Sequence, residues 1–88
     1  MVELDPTVKA YFDLGMSHYN RGDYLRATEQ WKLALRQDPN YAAAHRYLAL
    51  AYEKLGWQHK AKKQWEAYLK VETNDVAKAQ ILERLKAL

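Results

Sequence analysis

Residues 22–40 read GDYLRATEQWKLALRQDPN, and residues 56–74, which lie 34 positions further along, read GWQHKAKKQWEAYLKVETN. The two stretches share six residues: Gly22 and Gly56, Ala27 and Ala61, Gln30 and Gln64, Trp31 and Trp65, Leu35 and Leu69, and Asn40 and Asn74. Upstream, the same offset aligns Ala10 with Ala44 and Leu14 with Leu48. Most of the matched residues are small or are large and apolar, the types that set how helices pack. The sequence therefore carries an internal repeat with a period of 34 residues.

Turn-forming residues divide each copy of the repeat into two helices. Gly22 and Gly56 supply the left-handed backbone that ends a helix, and Asp23 can cap the helix that follows. Pro39 ends that helix, because it lacks a backbone N–H and disfavours helical backbone in the residue before it. Turns this short make neighbouring helices antiparallel. We therefore predict five helices, over about 6–20, 24–37, 41–54, 58–71 and 75–87, with N-terminal caps from Asp5, Asp23, Asn40 and either Thr73 or Asn74.

Apolar residues at helical spacing predict the inward faces of the helices. These faces are Tyr11, Leu14 and His18 on the first helix, Tyr24, Ala27, Trp31, Ala34 and Leu35 on the second, and Val76, Ala79, Leu82 and Leu85 on the last. Gly15 and Ala49 are small residues at which a partner helix can approach closely. The last helix is expected to cover the apolar side of the second copy.

The pattern resembles the tetratricopeptide repeat. In the first copy the motif residues are Tyr11, Leu14, Gly15, His18, Gly22, Asp23, Tyr24, Ala27, Trp31, Ala34, Leu35, Asp38, Pro39 and Asn40. In the second copy they are His45, Leu48, Ala49, Tyr52, Gly56, Ala61, Trp65, Leu69, Glu72 and Asn74. The second copy departs from the family pattern at Gln58, Tyr68 and Thr73, and we expect Trp57 to fold back and supply the ring that Gln58 lacks.

The resemblance covers residues 8–75 and implies a fold class. The expected architecture is all-α, a right-handed superhelical stack of antiparallel helix pairs. A single domain over residues 1–88 would comprise repeat 1 over about 8–41, repeat 2 over about 42–75 and a capping helix over about 76–88.

The resemblance also implies a binding surface, because in this family the first helix of each pair lines a concave groove that holds a peptide or helix. The groove positions carry Lys9, Phe12, Met16, Tyr19 and Asn20 in the first copy, Ala43, Arg46, Leu50, Glu53 and Lys54 in the second, and Ala77, Gln80 and Arg84 in the closing helix. Apolar residues rimmed by charge are typical of an interface. We therefore predict a protein–protein interaction scaffold. The competing interpretation is that Phe12, Met16 and Leu50 pack within the helix pair or under the closing helix.

One binding mode of the family is not expected in this chain. Some members clamp a C-terminal carboxylate with lysine, asparagine and arginine. The corresponding positions hold Phe12, Met16, Tyr47, Ala77 and Ile81, none of which is one of those residues. The predicted partner is therefore an apolar or amphipathic helix, or an extended segment with apolar anchors.

The sequence shows no constellation of residues typical of an enzyme. The only histidines are His18, His45 and His59, and the first two occupy ring positions of the repeat, so we interpret them as packing residues. Metal-ligand spacing, a phosphate-binding glycine loop and a nucleophile motif are all missing. Neither catalysis nor a cofactor is expected.

Two further functions compete with the binding of another protein. Two repeats are near the lower limit for a solenoid, which favours a self-associating module, either homo-oligomeric or domain-swapped, as the alternative. RNA binding through the basic helix 58–71 is a weaker hypothesis, because Lys60, Lys62 and Lys63 near Trp57 can equally be solvated surface lysines. Nucleic acid is therefore not the expected partner.

Length and composition limit the architecture and the location. The 88 residues suffice for one domain, contain no cysteine and carry 14 Lys and Arg against 11 Asp and Glu, a net charge of +3. There is no apolar run long enough to span a membrane and no signal peptide. The lack of cysteine fits a reducing compartment, so a cytoplasmic location is expected.

Overall fold

A computed structural model of the chain describes residues 6–87 and shows five helices. They are α1 (Pro6–Asn20), α2 (Tyr24–Gln37), α3 (Ala42–Lys54), α4 (Gln58–Val71) and α5 (Asp75–Lys86), and residues 6–87 contain no strand. Helix α1 packs on α2 and α3 packs on α4, and the two pairs meet where α2 lies against α3. Helix α5 contacts α4 less extensively. The predicted all-α stack of helix pairs is confirmed.

The turns between the paired helices have the predicted geometry. Gly22 and Gly56 have φ angles of 82° and 79°, in the left-handed region that favours glycine. The Asp23 carboxylate accepts a hydrogen bond from the backbone N–H of Arg26, which caps α2, and the Asn74 side chain caps α5 in the same way through Ala77. The predicted cap Asp5 and the last residue of the predicted closing helix, Leu88, lie outside the described residues.

The predicted cap of α3 was wrong. The backbone N–H of Asn40 donates to the Asp38 carboxylate at 3.2 Å, so Asn40 belongs to a turn and α3 begins two residues later, at Ala42. Tyr41 occupies the cap position without a side-chain hydrogen bond.

Trp31 is the centre of the main core and is fully buried. It packs with Ala27 and Leu48 and approaches the backbone of α1 at Gly15, where an added Cβ atom would lie 2.6 Å from Trp31 Cδ1. Its indole Nε1 donates to the carbonyl oxygen of Phe12 at 3.1 Å. The missing side chain at Gly15 therefore lets an indole ring dock directly on a helix backbone.

Leu14 and Leu48 occupy equivalent positions in the repeat but have opposite environments. Leu48 is 1% exposed because it packs in the core with Ala27 and Trp31 of α2, whereas Leu14 is 47% exposed. Within residues 6–87 no helix precedes α1, so no described helix covers the face of α1 that corresponds to the buried face of α3. The prediction that Leu14 lies on an inward face was therefore wrong.

The inward face predicted for α5 was wrong in part. Val76 and Leu82 are 69% and 51% exposed and Ala79 is also exposed, whereas Ile81 is buried and Leu85 half-buried. Ile81 packs in a second core cluster with Ala49, Trp65 and Tyr68, and Leu85 packs against that cluster. Within the described chain no sixth helix covers the Val76 side, so α5 has only one packed face.

Candidate functional site

The predicted groove residues lie on three helices, α1, α3 and α5, and form the candidate binding surface. We call this surface the groove face and define it by the predicted residues Lys9, Phe12, Met16, Tyr19, Asn20, Arg46, Leu50, Lys54 and Arg84. Ring contacts join α1 to α3, since the centroid of Tyr47 lies 5.8 Å from that of Phe12 and 6.3 Å from that of Tyr19. An ion pair between Arg84 and Glu53 joins α3 to α5.

The side chains of the groove face divide into a half-buried floor and an exposed rim. The floor consists of Phe12, Met16, Tyr19 and Leu50, and the rim consists of Lys9, Asn20, Arg46, Lys54 and Arg84. The floor is apolar or aromatic, and every rim residue is polar or charged. This combination gives a surface that can bury apolar groups of a ligand and orient them with polar contacts.

Each apolar floor residue also supports the fold. Phe12 contacts the rings of Tyr41 and Tyr47, and Met16 packs against the main core. Leu50 packs against the cluster that includes Ile81 of α5. Packing within the helix pair and under α5 therefore buries part of each side chain, and the other part stays exposed to solvent.

The predicted groove residues leave out two aromatic residues beside the floor, one of which, Tyr47, appears in the sequence only as a position of the carboxylate-clamp mode. Tyr41 lies with its ring centroid 5.2 Å from that of Phe12, and Tyr47 contacts Phe12, Tyr19 and Trp31. The spacing of Tyr47, Leu50 and Lys54, which is i, i+3 and i+7, places them on one helix face and could have identified Tyr47. Tyr41 lies in the connection before α3, where helical spacing gives no signal.

Arg84 is engaged within the chain. The Glu53 carboxylate accepts hydrogen bonds from Arg84 Nε at 3.0 Å and from its terminal nitrogen at 2.6 Å, and it also accepts one from Trp65 Nε1. The Arg84 guanidinium lies 5.3 Å from the centroid of the Trp65 ring. A two-point, charge-assisted contact of this kind is among the stronger polar interactions in proteins, so Arg84 fastens α5 to α3.

The Glu53 carboxyl makes this attachment dependent on pH. Partial burial alone raises the pKa of Glu53, but hydrogen bonds from Arg84 and Trp65 and the charge of Arg84 outweigh it and hold the pKa below the usual value of 4.5. A carboxyl with a lowered folded-state pKa stabilises the fold above its unfolded pKa, and this stabilisation is lost as the pH falls through the folded pKa.

We therefore expect α5 to be attached at neutral pH and to loosen as the pH is lowered below 4.5. Amide NMR spectra recorded from pH 7 to pH 3 would show this as shifts of the α5 signals that precede global unfolding. The variant Glu53→Gln removes the titrating group and should abolish the low-pH step. An α5 signal pattern that stays constant down to pH 3 would contradict the assignment.

Trp57 forms a separate feature at the turn before α4. It contacts Tyr52 with a centroid distance of 5.8 Å, as expected for a ring that folds back, yet 39% of it stays exposed. Lys60 Nζ lies 4.9 Å from its ring centroid, and residues 56–60 line an open recess of about 460 Å³. Trp65, the other tryptophan of this part of the chain, is buried.

Residues 6–87 offer neither a group of metal-ligating side chains nor a helix suited to a membrane span. Over this range no three His, Asp or Glu side chains are grouped so that they could hold a metal ion. None of the helices α1 to α5 combines the length and hydropathy that crossing a bilayer requires.

Comparison with known proteins gives one match. A family model described as a TPR repeat matches residues 15–56, which run from the middle of α1 to the glycine that follows α3. A search of the curated proteins finds no match to the chain. The matched segment contains six of the groove-face residues: Met16, Tyr19, Asn20, Arg46, Leu50 and Lys54.

Proposed function

Because the chain is a protein of the tetratricopeptide-repeat family, built of two helix pairs and a closing helix, we propose that it is a scaffold that binds a segment of a partner protein on the groove face. Repeats of this family generally mediate protein–protein interactions. As a scaffold the protein would need neither a catalytic residue nor a cofactor, and we place it in the cytoplasm as part of the same proposal.

The observation that carries the proposal is the contrast between the floor and the rim of the groove face. Phe12, Met16 and Leu50 keep part of their apolar surface uncovered, and exposed Lys9, Arg46 and Lys54 surround them. Burial of apolar surface contributes roughly 25 cal/mol per Å², so a partner that covers this floor gains affinity from it. The surrounding charges favour one orientation of the partner over others.

Site-directed crosslinking tests the proposal without destabilising the fold. Since the chain contains no cysteine, a single cysteine carries one photoreactive label. Asn20→Cys and Gln80→Cys place the label at exposed positions on the groove side of α1 and α5. Glu29→Cys and Glu66→Cys place it at exposed positions on α2 and α4 as matched controls.

We expect the two groove-side labels to crosslink the same partner protein in an extract of the native source, and the two control labels to give little of that product. The proposal would be wrong if all four positions gave the product equally, or if only the control positions gave it. Circular dichroism of each labelled variant should match the parent, because all four positions are exposed.

Self-association is the second candidate, and it is favoured by the uncovered apolar side chains of the first and last helices. Leu14 on α1 and Val76 and Leu82 on α5 are all more than 45% exposed. Sedimentation at several protein concentrations should then show a mass that rises with concentration, and Leu14→Glu with Leu82→Glu should remove the rise. A monomer mass throughout the concentration series would exclude this function.

A further inference from the structure

Two cations of the groove face, Arg46 and Lys54, have no carboxylate within ion-pair distance in residues 6–87. Both are exposed, and both lie on α3 with Leu50 midway between them. Eight residues of α-helix separate the two by about 12 Å, and Leu50 lies about 6 Å from each along the helix axis. The face therefore has two available positive charges with an apolar contact between them.

Three carboxylates act on the cations of this surface, and two of them are already ion-paired. Asp13 pairs with Lys9 at 3.2 Å and Glu53 pairs with Arg84, so each neutralises a cation other than the two in question. The third, Glu72, accepts hydrogen bonds from Tyr68 and from the backbone N–H groups of Thr73 and Asn74, and it feels the charge of Arg46 without forming an ion pair. The four cations of the groove face therefore outnumber these three carboxylates, which leaves an excess of positive charge. Charge complementarity therefore calls for a partner that carries carboxylates.

The free polar groups around the floor are mainly hydrogen-bond donors. Arginine and lysine side chains only donate, and the hydroxyls of Tyr19 and Tyr47 can donate as well. A helical partner has little to offer these donors from its backbone, because its carbonyl oxygens are hydrogen-bonded internally. An extended partner keeps its carbonyl oxygens free and can accept from them along its whole length.

The spacing on α3 also matches an extended chain. In a strand, alternate side chains point to the same side and repeat at about 6.6 Å, close to the step from Arg46 to Leu50 and from Leu50 to Lys54. Three residues of an extended partner, spaced two positions apart, would therefore reach Arg46, Leu50 and Lys54 in turn.

We propose that the groove face binds an internal, extended acidic segment in which two carboxylates four residues apart pair with Arg46 and Lys54, and an apolar side chain midway between them contacts Leu50. The inference rests on the proposed function and names the chemistry of the partner. Since both carboxylates come from side chains, the segment needs no free C-terminus.

Selection from a phage-displayed library of random twelve-residue peptides tests the proposal. Three proteins are compared: the wild type, the groove variant Arg46→Glu with Lys54→Glu, and the control variant Lys62→Glu with Lys63→Glu. The control makes the same charge change at exposed positions of α4. All four positions are exposed, so helical content measured by circular dichroism should be unchanged in both variants.

The wild type and the control variant should select peptides with Asp or Glu at two positions four apart and an apolar residue between them. For a selected peptide synthesised with both ends blocked, fluorescence anisotropy should show at least about tenfold weaker binding to the groove variant. Added salt should weaken binding to the wild type, because exposed charges are screened.

Selected peptides without an acidic excess, or with carboxylates eight apart in a helix-forming sequence, would overturn the inference, as would equal binding by the groove variant. Selection of no peptide would also overturn it. If the groove-side crosslinks to a partner persist in any of these cases, the proposed function stands and only the partner's chemistry is wrong. If those crosslinks are missing too, both fail.

Discussion

Replacing Trp31 with alanine is expected to remove most of the stability of the fold. Trp31 is fully buried, and its ring contacts those of Phe12, Tyr19 and Tyr47. Truncation of a buried tryptophan to alanine costs about 3–5 kcal/mol. A domain of this size is typically stable by only about 5–10 kcal/mol, so the remaining margin is small.

Urea unfolding followed by circular dichroism measures this effect, and Trp57→Ala is the matched control. Trp57 is 39% exposed and lies outside the main core, so its loss should lower the free energy of unfolding by about 1 kcal/mol or less. Similar losses for the two variants would show that Trp31 does not organise the core.

The substitution Gly15→Leu is expected to destabilise the fold by about 3 kcal/mol or more through overpacking. An added Cβ atom alone would lie 2.6 Å from Trp31 Cδ1 and 2.8 Å from its Cε2, so the indole would have to move. That movement would break the hydrogen bond from Trp31 to the Phe12 carbonyl oxygen, with a further cost of about 1 kcal/mol.

The second repeat supplies a control for this prediction. Ala49 occupies the position equivalent to Gly15, and there the indole of Trp65 donates to Glu53 rather than to a helix carbonyl. Ala49→Gly should therefore cost only about 1 kcal/mol, the usual penalty for glycine inside a helix. Thermal melting of both variants would check the contrast, and equal shifts in Tm would refute a special role for Gly15.

The helix boundaries could be predicted because local chemistry determines them. Gly22, Gly56 and Pro39 restrict the backbone directly, and Asp23 and Asn74 satisfy backbone groups only three residues away. The same logic failed at Asn40, which lies in a turn, because α3 begins at Ala42 and its cap position falls on Tyr41.

The packed face of α5 could not be predicted from spacing. Val76, Ala79 and Leu82 form a regular helical stripe, but the stripe that includes Ile81 and Leu85 is equally regular. Which of them is buried depends on the surface that α4 and α3 offer, and that surface comes from residues far away in the chain. The exposure of Leu14 has the same origin, because it depends on what lies beside α1.

The exposure of the groove-face cations could be predicted, but their pairing could not. The repeat register correctly placed Lys9, Arg46 and Lys54 on exposed positions. It gave no indication that Arg84 is bound to Glu53, because that contact joins residues 31 positions apart and depends on the docking of α5. It also omitted Tyr41, which lies between helices and has no place in a helical pattern.

The two glycine turns have nearly the same backbone geometry, with φ angles 3° apart, although the residues around them differ. The connection between the two helices of a pair is therefore the same in both repeats, and it tolerates different neighbouring residues. Duplicating one 34-residue segment between the existing pairs would lengthen the array while reusing the contact that already joins α2 to α3. A ligand surface could grow by this route one unit at a time, with each new unit free to acquire its own side chains.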